Sequence, residues 1–438
     1  MELWALIDAN NFFVSCERVF RPDLRNQPVI VLSCNDGCTV SRSREAKDLG
    51  IPMGAPRFQI ADKINKYKIH FFSSNFRLYG DLSTRMMKLI GEYIETGEQE
   101  IYSVDECFVR LTHLPTHDWT LWAQKLCTKI AQNLGIPVTV GVAPSKTLAK
   151  LAVGIAKNDF FGNGSLVWLP SDNRWHTQYL HSCPITNVWG LGRASIRQLL
   201  SLKIDTVGQF MNLSPTYVRK LLGLGGLRTW HELHGVSCIE LTQAPVNRRQ
   251  ILRSRSFAAN VYQQNELEQA LAAFLSLATD NLRRQHWRAS FVTTYIRTSN
   301  YVDLPRRYAA SHTIGLSQSS SYLPDLASAM KQGLAAIYRP GFAYKKAGII
   351  LSGLESENAW QPQLINLMPS DLSEDKKQAL MGAIGKINRH YGDHKINIGL
   401  TTTRPSNQAK PTASKWHSRA TRRSPEYSTS WTQLPLVH

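Results

Sequence analysis

The 438-residue chain carries 51 lysine and arginine residues against 33 acidic ones, and its formal net charge of +18 indicates a polyanionic partner, with nucleic acid as the expected kind. No stretch approaches the ~20 apolar residues of a membrane span, and the N-terminus lacks a basic-then-apolar signal pattern, so we expect a cytoplasmic protein with no membrane partner. Seven cysteines without a Cys-x-x-Cys pair argue against a disulfide framework and against structural zinc.

The first predicted element is a buried strand with an acid at its exit. Residues 3–7 are an uninterrupted apolar run, and Asp8 follows them directly. A second acidic pair, Asp105 and Glu106, lies between two further apolar runs. Neighbouring side chains on a flat strand point to opposite faces, so we expect a hairpin tip or bulge at residues 104–106 that turns both acids the same way.

Three converging carboxylates repel one another unless cations separate them. The natural occupants are two Mg²⁺ ions, because hard divalent ions prefer carboxylate oxygens and substrate phosphates, and a pair of them promotes phosphoryl transfer. For Asp8 taken alone, a solvated acid at a strand end is the competing interpretation.

The residues around these acids resemble a known enzyme family. The chain is similar to the Y-family lesion-bypass DNA polymerases at residues 8–13 (DANNFF), 16–17 (CE) and 103–106 (SVDE). The likeness is greatest to the UmuC, MucB, ImpB and SamB group, the catalytic subunits of DNA polymerase V, and it continues through residues 188–192 (VWGLG) to Tyr427. It implies a DNA-directed DNA polymerase for error-prone translesion synthesis in the SOS response, without proofreading.

The resemblance implies an α+β multidomain fold shaped like a right hand. The expected parts are a ferredoxin-like palm (1–20 and 75–165), small fingers (21–74), a helix-hairpin-helix thumb (166–236), a linker (237–247), an α/β little finger (248–355) and a C-terminal tail (356–438). The palm is expected to carry the acids, and the fingers to lie over the incoming nucleotide.

The resemblance also assigns roles to the acids. Asp8, Asp105 and Glu106 are the expected catalytic residues and metal ligands. Asp8 and Asp105 would bridge both ions, and Glu106 would hold the ion that activates the primer 3′-oxygen. The Ala9 carbonyl is the expected further ligand of the nucleotide-side ion.

Two adjacent aromatics follow the first strand. By the resemblance, Phe13 lies under the incoming sugar and collides with a 2′-hydroxyl, whereas Phe12 packs inward. The alternative is that both are core aromatics. The family's triphosphate contacts fall on Ser41, Arg44, Lys47 and Lys157.

Cations cluster where a short helix of the fingers is predicted to begin. Arg42, Arg44 and Lys47 fall in this region, and the helix is expected to end at Gly50. Cations at a helix start are poorly placed for its dipole, which suggests an external anion. A solvated charge cluster is the alternative.

A second cationic helix is predicted after Ser145, a suitable N-cap. Lys146, Lys150 and Lys157 recur near helical spacing and therefore share one side of it. Lys146 and Lys150 are candidate contacts to the DNA backbone. A lysine stripe on a helix is, however, usually a solvated face.

Two further regions are predicted to bind DNA phosphates. Gly190, Gly192 and Arg193 resemble a helix-hairpin-helix turn, which aims backbone N–H groups at a phosphate, and residues 223–228 repeat the pattern less cleanly. In the little finger, a sheet with two helices, an alternating strand pattern is expected to place several arginines on one face as a phosphate track. These arginines are Arg249, Arg253 and Arg255.

The tail contains one candidate partner motif. Residues 363–368 (QLINLM) resemble a sliding-clamp peptide, with Gln363, Leu364, Leu367 and Met368 as its contacts. Little of the tail from Thr401 is expected to pack, because six lysines and arginines face one acid there, and residues 424–427 are expected to become ordered on a partner. The resemblance further implies primer-template DNA, deoxynucleoside triphosphates, a processed UmuD-like dimer and a RecA filament as partners.

Two rival classes use parts of the same pattern. A nucleotide cyclase also employs acids and two metal ions on a small mixed sheet, but it has no need of a helix-hairpin-helix. A catalytically inactive DNA-binding scaffold needs the basic surface, but it does not need Asp8, Asp105 and Glu106 together.

Overall fold

The structure is a computed structural model that describes residues 2–111, 118–158, 164–169, 179–180, 182–242, 249–359, 373–391, 396 and 420–434. The chain divides into two compact units. Unit 1 comprises Met1–Pro245 and Ala420–His438, and unit 2 comprises Val246–Arg419. The boundary at Pro245 falls inside the predicted linker.

Unit 1 contains a central sheet, a small sheet and a helical region. Its strands are β1 (Trp4–Ala9), β2 (Val29–Leu32), β3 (Thr39–Arg42), β4 (His70–Ser73), β5 (Gln99–Ile101), β6 (Glu106–Arg110), β7 (Val138–Ala143) and β8 (Ser165–Val167). Its described helices are α1 (Phe12–Phe20), α2 (Arg44–Asp48), α3 (Ala61–Lys66), α4 (Phe76–Gly91), α5 (Trp119–Leu134), α6 (Lys146–Asn158), α7 (Arg193–Ser201), α8 (Val207–Met211) and α9 (Pro215–Leu233).

The central sheet has the strand order β5-β6-β1-β7-β8, and β1 runs antiparallel to both of its neighbours. Ala5 and Ile7 contribute to one hydrophobic core, whereas Trp4 and Leu6 contribute to another. Successive side chains of a strand point to opposite faces, and here both faces are covered. This is why β1 is apolar until it reaches Asp8.

Helix α6 crosses the face that Trp4 and Leu6 share, and it approaches β7 closely. A Cβ atom on Gly141 would lie 2.5 Å from the carbonyl oxygen of Ala149, so a side chain at this position would push the helix away. The close approach brings Lys150 and Lys157 of α6 over the polar end of β1, where they pair with Glu106 and Asp8.

The small sheet has the order β3-β2-β4 and its own core, which includes Ile30, Leu32 and Ala46. Helix α2 starts at an N-cap, where the Ser43 hydroxyl accepts a hydrogen bond from the Ala46 amide at 3.3 Å. The prediction that Arg42 begins this helix is wrong, because Arg42 is the last residue of β3.

The helical region contains both predicted glycine turns. Gly190 has a φ of +94°, and a Cβ atom there would lie 2.5 Å from the Thr229 hydroxyl. Gly192 is the N-cap of α7, and α9 is broken at Gly223, whose φ is 70°. The first turn therefore packs against α9, six residues after its break at Gly223.

Unit 2 is a four-stranded antiparallel sheet covered by helices, where a sheet with two helices was predicted. Its strands, in the order β11-β10-β12-β9, are β9 (Gln250–Val261), β10 (Trp287–Thr298), β11 (Ala309–Ser320) and β12 (Tyr344–Ser356). Its described helices are α10 (Gln264–Arg284), α11 (Leu323–Ile337) and α12 (Glu374–Tyr391). Among the described helices of both units, none is long and apolar enough to cross a membrane.

Arg253 and Arg255 of the predicted arginine track share one face of β9, as the alternating pattern predicts, and the register of β9 shows which face it is. Arg253 is paired with Ile349 and Arg255 with Ala347, and both partners are buried in the core beneath the helices. Directly opposed residues of antiparallel strands point to the same face, so these arginines lie on the helix-covered side. Arg249 precedes β9.

The prediction that little of the tail from Thr401 packs is also wrong for residues 420–434, its described part, because Tyr427 is buried in the core of unit 1. Earlier in the C-terminal tail, Met381 on α12 is buried in the core of unit 2. Residues 420–434, which we term the C-terminal strap, belong to unit 1. The predicted clamp contacts Gln363, Leu364, Leu367 and Met368 lie outside the described residues.

Candidate active site

Three acids meet at one end of the central sheet, which we term the carboxylate edge (Asp8, Asp105 and Glu106). Asp8 on β1 lies directly opposite Glu106 on β6. Opposed residues in an antiparallel pair point to the same face, so both side chains project toward α6. The Ala9 amide donates a hydrogen bond to the Asp105 carbonyl at 2.9 Å, which ties the third acid to the same strand end.

A turn between β5 and β6 aims the acids, as the predicted hairpin tip requires. The hydroxyl of Ser103 donates to an Asp105 carboxylate oxygen at 2.6 Å. The same hydroxyl accepts from the amides of Asp105 and Glu106, at 3.2 and 3.0 Å. Our sequence reasoning assigned Ser103 no role, although a serine two residues before an acid is a typical turn signal.

Helix α6 presents a row of ammonium groups to this sheet. Its start is capped as predicted, because the Ser145 hydroxyl accepts from the Leu148 amide at 3.3 Å. The shared side of Lys146, Lys150 and Lys157 is not a solvated face, since each lysine pairs with an acid. The pairs are Lys157 with Asp8 at 2.5 Å, Lys150 with Glu106 at 2.9 Å and Lys146 with Glu100 at 2.5 Å.

The prediction that Lys146 contacts DNA is wrong. Its side chain is 1% exposed, and its ammonium also donates to the Glu240 carbonyl at 2.8 Å and lies 4.7 Å from the centre of the Trp4 ring. A group sealed in this way cannot reach a phosphate. Lys150 lies nearer the surface, and its ammonium is 4.7 Å from the centre of the Tyr102 ring while it pairs with Glu106.

Burial at the carboxylate edge makes ionisation of Asp8 unfavourable. Asp8 is 9% exposed, and loss of solvation raises its pKa to about 6, although Lys157 opposes the shift. Glu106 and Asp105 raise the pKa further, because like charges disfavour ionisation. The edge therefore favours added positive charge.

The donor set fits a hard divalent cation, since it consists of carboxylate oxygens. Among the described residues, no group of three or more His, Cys, Asp or Glu side chains stands ready to hold a metal ion. The ammonium groups of Lys150 and Lys157 bond to Glu106 and Asp8 instead. These lysines would have to release the acids when a metal ion binds.

Further cations gather beside Asp8. Burial lowers the pKa of Lys47, and the nearby positive charges of Lys157, Arg42 and Arg44 lower it further, whereas Asp8 raises it. Mutual repulsion of this kind favours an anion among the cations. The predicted triphosphate residues Arg44, Lys47 and Lys157 are thus electrostatically coupled in the folded chain.

Ser41, the fourth predicted triphosphate residue, is buried beneath this cluster. Its hydroxyl donates to the Asn11 carbonyl at 3.2 Å and accepts from the Val14 amide at 3.4 Å. In this structure it joins β3 to the first turn of α1.

The two adjacent aromatics face different surroundings, as the sequence predicted. Phe12 is buried in the core of the central sheet, whereas Phe13 is partly exposed. The Phe13 ring stacks on Tyr79, with centroids 4.6 Å apart and planes inclined by 16°, and Phe76 contacts its edge at 5.8 Å. The Tyr79 hydroxyl donates to buried Glu17 at 2.6 Å. Our sequence reasoning assigned no role to Tyr79 or Glu17.

The first glycine turn is attached to the carboxylate hairpin. The Trp189 ring nitrogen donates to the Tyr102 hydroxyl at 3.2 Å, and the Trp189 ring lies 5.8 Å from that of Phe108. Gly192 and Arg193 are exposed next to it. The turn predicted to bind DNA is therefore anchored to the hairpin that carries Asp105.

A comparison with solved structures defines the class of the fold. A chimeric Y-family DNA polymerase that combines segments of Dbh and Dpo4 matches with a TM-score of 0.65 at 19% sequence identity. The match covers 81% of this chain and 99% of the polymerase. The protein therefore has the right-hand fold of the Y-family DNA polymerases, with palm, fingers, thumb and little finger.

Sequence comparison gives the family. The model of the impB/mucB/samB family matches residues 7–154, the C-terminal domain of that family matches residues 248–364, and a domain of unknown function matches residues 378–437. The ImpB protein of Salmonella typhimurium is 34% identical over 99% of both chains. The UmuC protein of Salmonella typhimurium is 32% identical over 99% of this chain and 100% of its own length. The chain belongs to the impB/mucB/samB family.

Proposed function

We propose that this protein is an error-prone, template-directed translesion DNA polymerase of the SOS response that extends a primer by phosphoryl transfer. The observation that carries the proposal is the carboxylate edge beside a cluster of coupled cations, on a Y-family polymerase fold. Acids suited to divalent cations next to cations suited to a triphosphate are what nucleotidyl transfer needs. We assign the palm to residues 1–20 and 75–165, the fingers to 21–74, the thumb to 166–236 and the little finger to 248–355.

The carboxylate edge is the proposed site for two Mg²⁺ ions. Asp8 and Asp105 would hold both, Glu106 would hold the one on the primer side, and the Ala9 carbonyl would complete the other. When bound, such ions supply Lewis-acid activation of the primer 3′-oxygen and neutralise charge on the leaving pyrophosphate. The protein itself contributes position, through Ser103 and the paired ends of β1 and β6.

The cluster of cations beside Asp8 has a proposed role in nucleotide binding. Arg44, Lys47 and Lys157 would bind triphosphate oxygens, with Ser41 beneath them. Lys157 would leave Asp8 for the triphosphate as the acid takes up a divalent cation. This exchange keeps the local charge balanced, because one cation replaces another at Asp8 and an anion takes up the released ammonium.

Phe13 is the proposed sugar-selecting residue. Its ring is partly exposed and held by Tyr79 on one face, so a nucleotide sugar would meet a fixed surface. A ribose 2′-hydroxyl would then collide with the ring, whereas deoxyribose would fit.

The DNA is proposed to contact the exposed glycine turn at Gly190, Gly192 and Arg193 through backbone N–H groups. A sliding clamp would bind Gln363, Leu364, Leu367 and Met368. We also propose a processed UmuD-like dimer and a RecA filament as partners, since the protein belongs to the family of UmuC. It would act in the bacterial cytoplasm, at the nucleoid when recruited to DNA.

Primer extension past an abasic site, with and without a UmuD-like dimer, tests this function. We expect deoxynucleotide addition that requires a template and a divalent cation. Cyclisation of a nucleoside triphosphate without a template would instead favour the nucleotide cyclase. DNA binding without extension, with the UmuD-like dimer and RecA filament present, would favour the catalytically inactive scaffold.

A further inference from the structure

The C-terminal strap joins two parts of unit 1. At one end, the amide of Ser73 on β4 donates to the Arg422 carbonyl at 3.0 Å. At the other end, the Tyr427 ring stacks on Phe20 of α1, with centroids 4.3 Å apart and planes 5° from parallel. The strap therefore crosses from the small sheet to the helices that cover the central sheet.

Asn75 binds the strap at the start of helix α4. Its side-chain nitrogen donates to the carbonyls of Ser424 and Pro425, at 3.2 and 3.0 Å. Its side-chain oxygen accepts from the Leu78 amide at 3.5 Å and caps α4. The strap is thus bonded to the end of the helix that carries Tyr79.

A second connection runs through Glu17, which is fully buried on α1. The Ser424 hydroxyl donates to Oε1 of Glu17 at 3.0 Å, and the Tyr79 hydroxyl donates to the same oxygen at 2.6 Å. The Tyr79 ring stacks on Phe13. Three consecutive contacts therefore lead from the strap to the proposed sugar-selecting ring.

The other oxygen of the Glu17 carboxyl, Oε2, has no hydrogen-bond partner among the described residues. The orientation of this carboxyl therefore depends on the two hydroxyls that share Oε1. A buried group that loses one of so few partners is left poorly satisfied and free to turn. Movement of the carboxyl would loosen the Tyr79 hydroxyl, and with it the ring beneath Phe13.

We propose that Ser424 and Glu17 are positioning residues through which the C-terminal strap holds Phe13 in place and thereby sets discrimination against ribonucleotides. The inference rests on the proposed role of Phe13 in sugar selection. It gives the last part of the chain a function in nucleotide choice.

The test compares Ser424→Ala with Ser428→Ala in the full-length protein. Ser428 is a matched control because its hydroxyl also joins the strap to a carboxylate, that of Asp81 on α4 at 2.7 Å. Ser424→Ala removes the hydrogen bond to Glu17 and also an acceptor of the Asn75 side-chain nitrogen, which donates to the Ser424 hydroxyl at 3.1 Å. In single-nucleotide addition, we expect it to lower the ratio of kcat/KM for deoxynucleotide over ribonucleotide by about fivefold, as loss of the bond to Glu17, worth about 1 kcal/mol, implies. Ser428→Ala should leave the ratio unchanged.

Glu17 offers a second pair of variants. Glu17→Gln keeps an acceptor oxygen of the same shape, so we expect it to retain the selectivity ratio. Glu17→Leu removes the acceptor and should lower the ratio. Equal ratios for these two variants would overturn the assignment of Glu17.

Hydrogen exchange provides a readout that needs no polymerase activity. We expect the amides of residues 76–80 to exchange faster in Ser424→Ala than in Ser428→Ala, because the first turn of α4 loses its support. Unchanged exchange and an unchanged ratio in Ser424→Ala, or equal effects of the two serine variants, would overturn the inference. If the wild-type protein extends no primer with the UmuD-like dimer and RecA filament present, the proposed function fails, and exchange still decides whether the strap supports the first turn of α4.

Discussion

The carboxylate edge differs from two buried polar sites of unit 1, one at Lys146 and one at Glu17, in whether solvent reaches the charged groups. We term these two the sealed sites. The side chains of Lys150 and Lys157, which pair with acids of the edge, are 25% and 33% exposed. Lys146, on the same side of the same helix, is 1% exposed, and Glu17 is fully buried. A pair that solvent can reach is able to exchange its partner, whereas a sealed pair is permanent.

The partners of the buried acids differ in the same way. Burial raises the pKa of both Asp8 and Glu17. Asp8 is bonded to an ammonium, and another cation can take the place of that ammonium. Glu17 accepts hydrogen bonds from the hydroxyls of Tyr79 and Ser424, which lower its pKa by less than burial raises it, and the carboxyl serves as an anchor between them. Exchange of cations suits catalysis, and a fixed anchor suits support.

The largest effect is expected at the edge. Asp105→Asn should lower the rate of single-nucleotide addition on the order of a thousandfold or more, because loss of a metal ligand removes several kcal/mol of transition-state stabilisation. Affinity for primer-template DNA, measured by fluorescence anisotropy, should stay near that of the wild type. Glu98→Gln is the matched control, since Glu98 pairs with Arg110 on the same sheet away from the edge. Extension by Asp105→Asn within about tenfold of wild type would contradict the metal assignment.

A large loss of stability is expected at the sealed lysine. Lys146→Met should lower the free energy of unfolding by about 3 kcal/mol, because it leaves Glu100 without its ammonium partner in a buried site. Lys150→Met should cost less, since Glu106 is able to recruit solvent or another cation. Urea unfolding of the full chain measures both. Weaker DNA binding by a fully stable Lys146→Met protein would restore the original prediction for this residue.

Phe13 is partly exposed, and its ring stacks on Tyr79, whose hydroxyl is bonded to the buried Glu17. Phe13→Ala should increase ribonucleotide use relative to deoxynucleotide use by about 10- to 200-fold, the usual range for a pocket that excludes one small group. Phe12→Ala, the neighbouring control, should instead lower stability by about 3 kcal/mol, because it opens a cavity in the core. A folded Phe13→Ala protein with unaltered sugar discrimination would remove the sugar-selecting role.

The smallest effect is expected in the pH dependence of stability. The raised pKa of Glu17 means that the folded state binds a proton more tightly than the unfolded chain does. The stability from this site is complete below the ordinary pKa of glutamate, and it is lost as pH rises through the raised value. Glu17→Gln is neutral throughout, so its unfolding free energy should fall less over that range. Parallel pH profiles for the two proteins would indicate that Glu17 titrates normally.

The local patterns predicted much of the edge. An apolar run that ends in Asp8 is enough to place an acid at a strand exit, and the hairpin tip follows from the opposite directions of neighbouring strand residues. The spacing of Lys146, Lys150 and Lys157 predicts their shared side. Helical spacing does not reveal which side packs against the sheet, so it could not separate the sealed Lys146 from the accessible Lys157.

The same limit explains why the sequence did not reveal which face of the sheet the arginines of unit 2 occupy, or that part of the tail packs. Alternation predicts that Arg253 and Arg255 share a face, but strand register decides whether helices cover that face. The excess of positive charge in the tail from Thr401 predicts little packing. Tyr427 of this tail enters a core built by residues about 400 positions earlier, as the stack on Phe20 shows.

By itself, the sequence determined the acids, the cationic helices and the glycine turns, because each depends on local periodicity or on a short motif. The right-hand polymerase fold was implied by the resemblance of these motifs to a known family. Only the tertiary structure decided which lysines are sealed, that Ser103 orients Asp105, and that the C-terminal strap reaches Glu17 and Asn75. These contacts join residues far apart in the chain, and their free energy comes from the burial and hydrogen bonding that folding creates.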